Sequence, residues 1–281
     1  MSERRGYYTD TTDEQWALIE PVITAWKAAH PSVSGHTGRY AMRAIVDALL
    51  YQIRSGCQWS LHPAGFPPAS AVKCYFYRWR DEGLDQVIHE ILRCQVRERA
   101  GRAEDPSLVV LDTQSLHAAV NIPASTTGLD AAKKVPGRKR GIAVDIIGLV
   151  IAVVVLAASV HDNQIGTALL TRVASRTARV SKALVDQGFK NTVVEHGAAL
   201  GIDVEIVERN AREVGFAPQP IRWRVEQTLV TLMLQRRLVR GYEANPPSSE
   251  SRVYWAITAV MARRLTGAAS RTWRGHSGMR R

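Results

Sequence analysis

One long apolar stretch, residues 142–160, does most to limit what this chain can fold into. It is interrupted by Asp145 and Gly148, and the part after Gly148 is too short to cross ~30 Å of hydrocarbon as a helix. Its Val and Ile content favours β-structure, and Gly148 suits a tight turn. We therefore expect two buried strands, residues 142–146 and 149–157, joined as a hairpin.

Three acidic residues stand out against this background. The apolar runs directly before Asp112 and Asp186 each predict a buried strand that presents a carboxylate at its C-terminal end. Glu226 lies in residues 222–237, a stretch of good helix formers without Gly or Pro. Carboxylate oxygens of this kind suit Mg²⁺ or Mn²⁺, which bind through few carboxylates plus substrate phosphate. Taken alone, Asp186 is better explained as a turn-capping residue.

Six short motifs follow one another along most of the chain. They are residues 111–115 (LDTQS), 137–145 (GRKRGIAVD), 157–162 (AASVHD), 185–189 (VDQGF), 222–228 (RWRVEQT) and 236–243 (RRLVRGYE). Each is weak by itself, but in this order and spacing they resemble the DDE transposases of bacterial insertion sequences, in particular insertion sequence family five.

The resemblance implies an α/β fold with a ribonuclease-H-like catalytic core, a mixed sheet flanked by helices. It implies a helical, helix-turn-helix-like DNA-binding domain at residues 1–100, a linker at 101–106, and a catalytic domain at 107–281 that ends in basic helices. Asp112, Asp186 and Glu226 become the catalytic residues and the ligands of two Mg²⁺ (or Mn²⁺) ions. The implied partner is double-stranded DNA, the element's inverted repeats and its target, bound by a homodimer that cleaves and joins strands.

The chain departs from the family pattern near the two later acids. The departures are Gln187 where the family has Gly, Gln219 in the place of a Tyr, and Thr231, Met233 and Leu234 beyond the glutamate. We expect Gln187 to crowd or strain its turn, because Gly tolerates a positive φ where Gln does not. Three functions stay open: an active transposase, a nuclease of the same fold that does not transfer strands, and a decayed remnant that keeps DNA binding.

The charge is strongly basic and uneven. The formal net charge is +11 and the pI about 9.9, which favours an anionic partner. Residues 209–281 contain 14 Arg, no Lys and four acids, so this quarter of the chain carries +10 of the charge. We predict phosphate contacts for Arg236 and Arg237, and for Arg222, which stands one helical turn before Glu226. The alternative is a solvated, Arg-rich surface.

Two further groups of cations are predicted to contact DNA. Residues 121–141 are polar and rich in Ser, Thr and Gly, and we expect a flexible loop that clamps the DNA backbone. Its cations are Lys133, Lys134, Arg138, Lys139 and Arg140. The second group, on a predicted helix at 71–81, is Lys73, Arg78 and Arg80. The rings between them, Tyr75, Phe76 and Trp79, are better explained as core.

The N-terminal hundred residues predict helices. Thr11 and Glu14 form a capping-box pair for a helix that runs to about residue 29, and a second helix, residues 40–55, ends at Gly56. Ser70 is the expected cap of the third helix, and residues 84–100 form a fourth. A pair of helices around a loop is compatible with a helix-turn-helix relative.

The remaining signals concern location and minor acids. The three cysteines have no paired spacing and predict reduced thiols, and the polar N-terminus has no signal-peptide pattern, so we expect a cytoplasmic, nucleoid-associated protein without membrane contact. Asp145 is expected mid-strand, and His161 and Asp162 at a polar strand exit that could lie near the site; all three are weaker candidates for metal ligands than the three acids.

Overall fold

The computed structural model describes residues 6–31, 40–207 and 223–268. Four helices come first: α1 (Asp13–Ala29), α2 (Met42–Ser55), α3 (Ala69–Asp81) and α4 (Leu84–Arg99). The strands are β1 (Leu108–His117), β2 (Gly128–Asp130), β3 (Val135–Asp145), β4 (Val150–Ala157), β5 (Lys182–Val185) and β6 (Asp203–Ile206). The later helices are α5 (Asp162–Arg176), α6 (Asn191–Ala199), α7 (Trp223–Met233) and α8 (Pro246–Thr266).

The strands form one mixed sheet. Its order is β2-β3-β1-β5-β6, and β4 pairs with β3 beyond the short β2 contact. The strands β1, β3 and β4 are antiparallel, whereas β5 and β6 run parallel to β1. Three leading antiparallel strands followed by parallel strands with crossover helices confirm the expected ribonuclease-H-like α/β fold. The predicted hairpin is confirmed as β3 and β4.

Side chains alternate between the two faces of the sheet, as strand geometry requires. On β1, Val109 and Leu111 pack with α5 and α6, whereas Val110 packs with α7, α8 and the four N-terminal helices. The second of these cores is continuous from Ile19 in α1 to Met261 in α8. The predicted division at residues 101–106 therefore separates two stretches of chain that share one hydrophobic core. No helix in the described residues is both long and apolar enough to cross a membrane.

Local capping corrects two predicted helix starts. The capping box of α1 is formed by Thr12 and Gln15, because Thr11 is used instead to donate to the buried carboxylate of Asp47 on α2. Helix α3 begins at Ala69 without a side-chain cap, so Ser70 does not cap it. The predicted end of α2 is confirmed, since Gly56 has a φ of 74°.

The expected flexible loop at residues 121–141 is wrong over most of its length. Residues 128–130 form β2 and residues 135–141 are the first half of β3, which pairs with β1 from His117↔Gly137 onwards. The polar composition predicted a loop, but long polar side chains of this strand are buried beside the sheet and form hydrogen bonds there. Among described residues other than glycine, only Lys134 has a positive φ, 54°, at the turn between the two strands.

A buried ion pair joins α4 to the β3–β4 turn. The Arg97 guanidinium donates to Asp145, and both side chains are at most 5% exposed. Asp145 also accepts from the backbone N–H groups of Ile147 at 3.0 Å and Leu149 at 2.8 Å. Arg97 donates in addition to the carbonyl of Ala103 at 2.7 Å. Asp145 thus stands at the strand end as a turn-forming residue, and not in mid-strand as predicted.

Arg97→Met should destabilise the whole fold, because it leaves Asp145 buried without its cation. We expect the free energy of unfolding in urea to fall by about 3–5 kcal/mol. Adding Asp145→Asn should recover part of the loss. The matched control is Lys182→Met, which removes an exposed pair with Glu205 and should change the stability little. Equal losses for the two Met variants would contradict a special role for Arg97.

A second carboxyl is buried where α4 meets α8. Asp85 is 1% exposed, and its Oδ2 has no hydrogen-bond partner, although Oδ1 accepts from the Gln86 N–H at 2.9 Å. Burial raises the pKa of Asp85 from its ordinary value near 3.8 to about 6, against the opposing effects of the nearby Ser251 hydroxyl, the Gln86 N–H and the Arg176 guanidinium. Folding therefore favours the protonated form, and its contribution to stability is lost as the pH rises through about 6.

Asp85→Asn should stabilise the protein in alkaline solution, because the amide stays neutral at every pH. We expect a gain on the order of 1–3 kcal/mol at pH 8 that shrinks as the pH falls toward 4. Thermal or urea unfolding across this pH range measures it. The exposed Asp203→Asn serves as control and should show no such trend. A gain for Asp85→Asn that does not depend on pH would contradict the assignment.

Candidate active site

The two aspartates lie on neighbouring parallel strands. Strand β1 pairs with β5 through Val110↔Leu184, and Asp112 and Asp186 each come two residues later. Because side chains two apart share a face, both aspartates lie on the face of Val110 and Leu184, the face that α7 covers. Neighbouring strands lie ~4.8 Å apart. The fold therefore brings the backbone positions of these two acids to neighbouring strands.

Asp112 is not at a strand end, which corrects the prediction. Strand β1 continues to His117 because β3 pairs with it throughout. Asp112 is half-buried, and its Oδ1 accepts from the backbone N–H of Thr113 at 2.7 Å. Asp186 does follow the last residue of β5 and is also half-buried.

The turn after Asp186 needs its glycine but does not strain its glutamine. Asp186 Oδ1 accepts from the Gly188 N–H at 2.9 Å, and a Cβ on Gly188 would stand 2.9 Å from the same oxygen. Gln187 is exposed, and its φ is not positive. The expectation that Gln187 crowds or strains this turn is therefore wrong. Phe189 is buried against Gly166 of α5, which anchors the turn from below.

Glu226 lies in the first turn of α7 and is exposed. Helix α7 packs over β1 and β3 through Val225, Thr228 and Leu232, and the Thr228 hydroxyl donates to the Gly148 carbonyl at 2.9 Å. The helix ends at Met233, short of the predicted residue 237. Both Arg222 and Gln219 lie outside the described residues.

The predicted convergence of the three acids is only partly present. Within residues 6–31, 40–207 and 223–268, no group of three His, Cys, Asp or Glu side chains stands close enough to hold a metal ion. The fold delivers a neighbouring pair of aspartates and a glutamate on the helix that covers their face. By its chemistry this oxygen donor set suits a hard divalent cation, although the three carboxylates do not stand together in the described residues.

Asp162 is a functional candidate that the sequence placed near the site without a role. It opens α5, and its Oδ1 accepts from the Thr113 hydroxyl at 3.1 Å and from the Lys139 ammonium at 2.9 Å. Its Oδ2 lies 3.5 Å from the point where a Gly188 Cβ would stand, beside Asp186. One carboxylate therefore touches the residue after the first aspartate and borders the turn after the second.

Asn163, next to Asp162, stabilises the turn after Asp186. The Asn163 side-chain oxygen accepts from the backbone N–H of Lys190 at 2.8 Å. The polar exit of β4 is thus the support of the second aspartate's turn. In the sequence, the motif at residues 157–162 marked this region, but only the packing of α5 shows that it supports the turn after Asp186.

Lys139 is buried at the centre of this network. Its ammonium lies 2.9 Å from Asp162, 3.5 Å from Asp130 and 3.1 Å from the Val160 carbonyl. The Ser115 hydroxyl, which donates at 2.5 Å, and nearby lysines lower the pKa of Asp130 to about 2. Lys139 therefore has protein partners on several sides.

The other predicted DNA contacts divide by exposure. Buried and bonded to protein groups are Arg138, which donates to carbonyls at 126, 243 and 244, Arg140, which donates to Leu238 and Gln114, and Arg237, which pairs with Glu243. Exposed are Lys133, Lys134, Arg78 and Arg236. Intermediate are Lys73, over the Trp59 ring, and Arg80, which donates to Ser248. DNA contact stays a prediction for all of them.

The rings of α3 are core, as predicted. Phe76 and Trp79 are fully buried, and Tyr75 is half-buried against Trp26 and Trp79.

Of the 14 arginines in residues 209–281, seven lie in the described part of the chain. The three cysteines are free thiols, as predicted.

Comparison with known families supports the same assignment. A family model described as "Transposase DDE domain" matches residues 103–245, and one described as "Putative transposase of IS4/5 family" matches residues 11–89. The chain is also 30% identical over 110 residues to the "Insertion element IS402 uncharacterized 16.2 kDa protein" of Burkholderia cepacia, across 38% of this chain and 71% of that relative. Since the first model spans more than half of the chain and reaches across both strand aspartates, the protein belongs to the DDE transposases of the IS4/5 type.

Proposed function

We propose that this chain binds the ends of its insertion sequence as double-stranded DNA, cleaves them with Mg²⁺ or Mn²⁺, and joins the freed 3′-hydroxyl to target DNA. The DDE transposase domain implies phosphoryl-transfer chemistry. The observation that carries the finer proposal is the placement of Asp112 and Asp186 on adjacent parallel strands beneath α7.

The residues would act as follows. Asp112, Asp186 and Glu226 would hold two divalent ions, whose chemistry when bound would be to activate the attacking oxygen and to stabilise the leaving one. The Thr113 and Gly188 N–H groups orient the two aspartates. Glu226, exposed at the start of α7, would complete the set if the positive charge of bound metal ions offset the repulsion between the three carboxylates.

The basic surface would hold the DNA. Lys133 and Lys134 occupy the exposed turn before β3, and Arg236 follows α7. These exposed cations, with Arg222 and the basic residues 269–281, are the proposed backbone contacts. A homodimer, one copy at each element end, is the proposed assembly.

A decayed remnant that only binds DNA is the second candidate. It is favoured by the incomplete convergence of the three acids in the described residues and by the half-buried Met233 and exposed Leu234 beyond the glutamate. The ordinary backbone of Gln187 weighs against it, because the turn at the second aspartate is intact. A nuclease without strand transfer would use the same acids.

Asp112→Asn should abolish cleavage while DNA binding persists, because it removes one negative charge from the metal ligands. With labelled DNA that carries the flanking inverted repeats, and Mn²⁺ or Mg²⁺, we expect a loss above ~100-fold, more than supporting residues typically cost. Mn²⁺ affinity should fall with it. Asp203→Asn, on the exposed edge strand β6, is the matched control and should cleave normally.

The results separate the candidates. Cleavage by Asp112→Asn at the wild-type rate would contradict the metal-carboxylate assignment. Wild-type binding without cleavage would identify the remnant, and cleavage without joined products would identify the nuclease.

Asp162→Asn should weaken Mn²⁺ binding and cleavage together, because Asp162 positions both aspartates without binding the metal. We expect losses of about 10–100-fold, as for residues that support metal ligands. Lys139→Met should act through the same contact, so the double variant should lose less than the product of the single losses. The exposed Lys182→Met is the control. Unfolding measurements distinguish positioning from stability: an altered midpoint with unchanged Mn²⁺ affinity would contradict this role.

A further inference from the structure

A narrow cleft lies between the sheet and the segment that connects α7 to α8. Strand β3 forms its floor, and residues 237–249 form its wall. The polar residues that line it are Arg138, Arg140, Arg237, Arg240, Glu243 and Ser249.

The buried charges around this cleft do not balance. Four arginines are at most 8% exposed, namely Arg138, Arg140, Arg237 and Arg252. Glu243 is the buried acid among them, and it contacts Arg237 Nε at 2.8 Å and Arg252 Nε at 3.3 Å. Among the described residues neither Arg138 nor Arg140 has an ion pair, and the nearby Glu250 pairs with Arg172. Four cations thus share one carboxylate.

Two of these guanidinium groups also have unused donors. Arg140 donates to the Leu238 carbonyl and to Gln114, but its Nε has no partner. Arg252 lies against the rings of Trp59 and Phe76, and its nitrogens have no well-oriented hydrogen bond. Burial lowers the pKa of both groups to about 10, so both remain cationic at neutral pH.

We propose that this cleft binds a phosphate oxyanion, held by Arg140, Arg237 and Arg240. Buried charge without a counter-charge is costly, and an anion in the cleft would supply it. Guanidinium forks match phosphate oxygens, and Arg240 at the exposed rim would meet the part of the phosphate that faces solvent. Ser249 stands in the first turn of α8, where the helix dipole adds to the attraction. The phosphate is either free or part of a DNA backbone.

The test uses the full chain and inorganic phosphate, and needs no cleavage. Phosphate should raise the unfolding temperature of the wild type more than chloride does at matched ionic strength, because it binds the folded state. Arg240→Gln, on the exposed rim, should bind phosphate about tenfold more weakly. Arg240 makes one long bond, 3.3 Å to the Ala118 carbonyl, so this variant should fold.

A built-in carboxylate gives an independent readout. Ser249→Asp should raise the unfolding temperature in phosphate-free buffer and remove the response to phosphate. Ser181→Asp, the same change at an exposed position before β5, is the matched control and should do neither. The cleft proposal fails if phosphate stabilises the wild type no more than chloride, or if the two Asp variants respond alike.

A short DNA duplex identifies the source of the phosphate. If a backbone phosphate occupies the cleft, inorganic phosphate competes with DNA beyond its ionic-strength effect, and Arg240→Gln lowers the log-log salt slope by ~0.9. If DNA affinity and slope are unchanged while phosphate still binds, the cleft takes free phosphate. Both results support the cleft, and neither depends on the three catalytic acids.

Discussion

The ion pair between Arg97 and Asp145 is the contact on which the arrangement of the molecule depends. It joins the last N-terminal helix to the β3–β4 turn, and Asp145 at the same time organises that turn through two backbone N–H groups. Arg97 also holds the chain at Ala103, between the helices and β1. Since both charges are buried, removing either one leaves the other unpaired in an apolar environment. The helical region and the catalytic sheet are thereby fixed to one another at the hairpin that builds the sheet's first half.

The same packing decides how DNA binding and catalysis can be linked. The N-terminal helices share one core with α8 and with the sheet face that bears Asp112 and Asp186. Helix α7 lies on this face too, and Thr228 fixes it to Gly148 of the β3–β4 turn. The N-terminal helices and the strand aspartates are therefore connected through one hydrophobic core. On the opposite face, Asp162 at the start of α5 contacts Thr113, which follows Asp112, and borders the turn after Asp186.

The basic residues form two groups, one exposed to solvent and one buried in the protein. Exposed cations such as Lys133 and Arg236 are available to a DNA backbone, whereas Arg138, Lys139 and Arg140 are drawn inside by the pairing of β3 with β1 and β4. Two of the buried group project to the α8 side, where positive charge exceeds negative charge. A cluster of cations in a sequence therefore predicts an anionic partner, but not whether that anion approaches from outside or fills a cleft.

Several features could be predicted from the sequence because they depend on local chemistry. The apolar runs before Asp112 and Asp186, the hairpin around Gly148 and the helix end at Gly56 were all confirmed, since strand alternation, turn geometry and capping act over a few residues. Tertiary structure alone decided the rest. Lys139 became an interior partner of Asp162 because β3 extends seven residues further towards the N-terminus than its apolar run indicates. Long-range pairing, buried charge and the order of strands depend on contacts between residues far apart in the chain, and no local pattern records them.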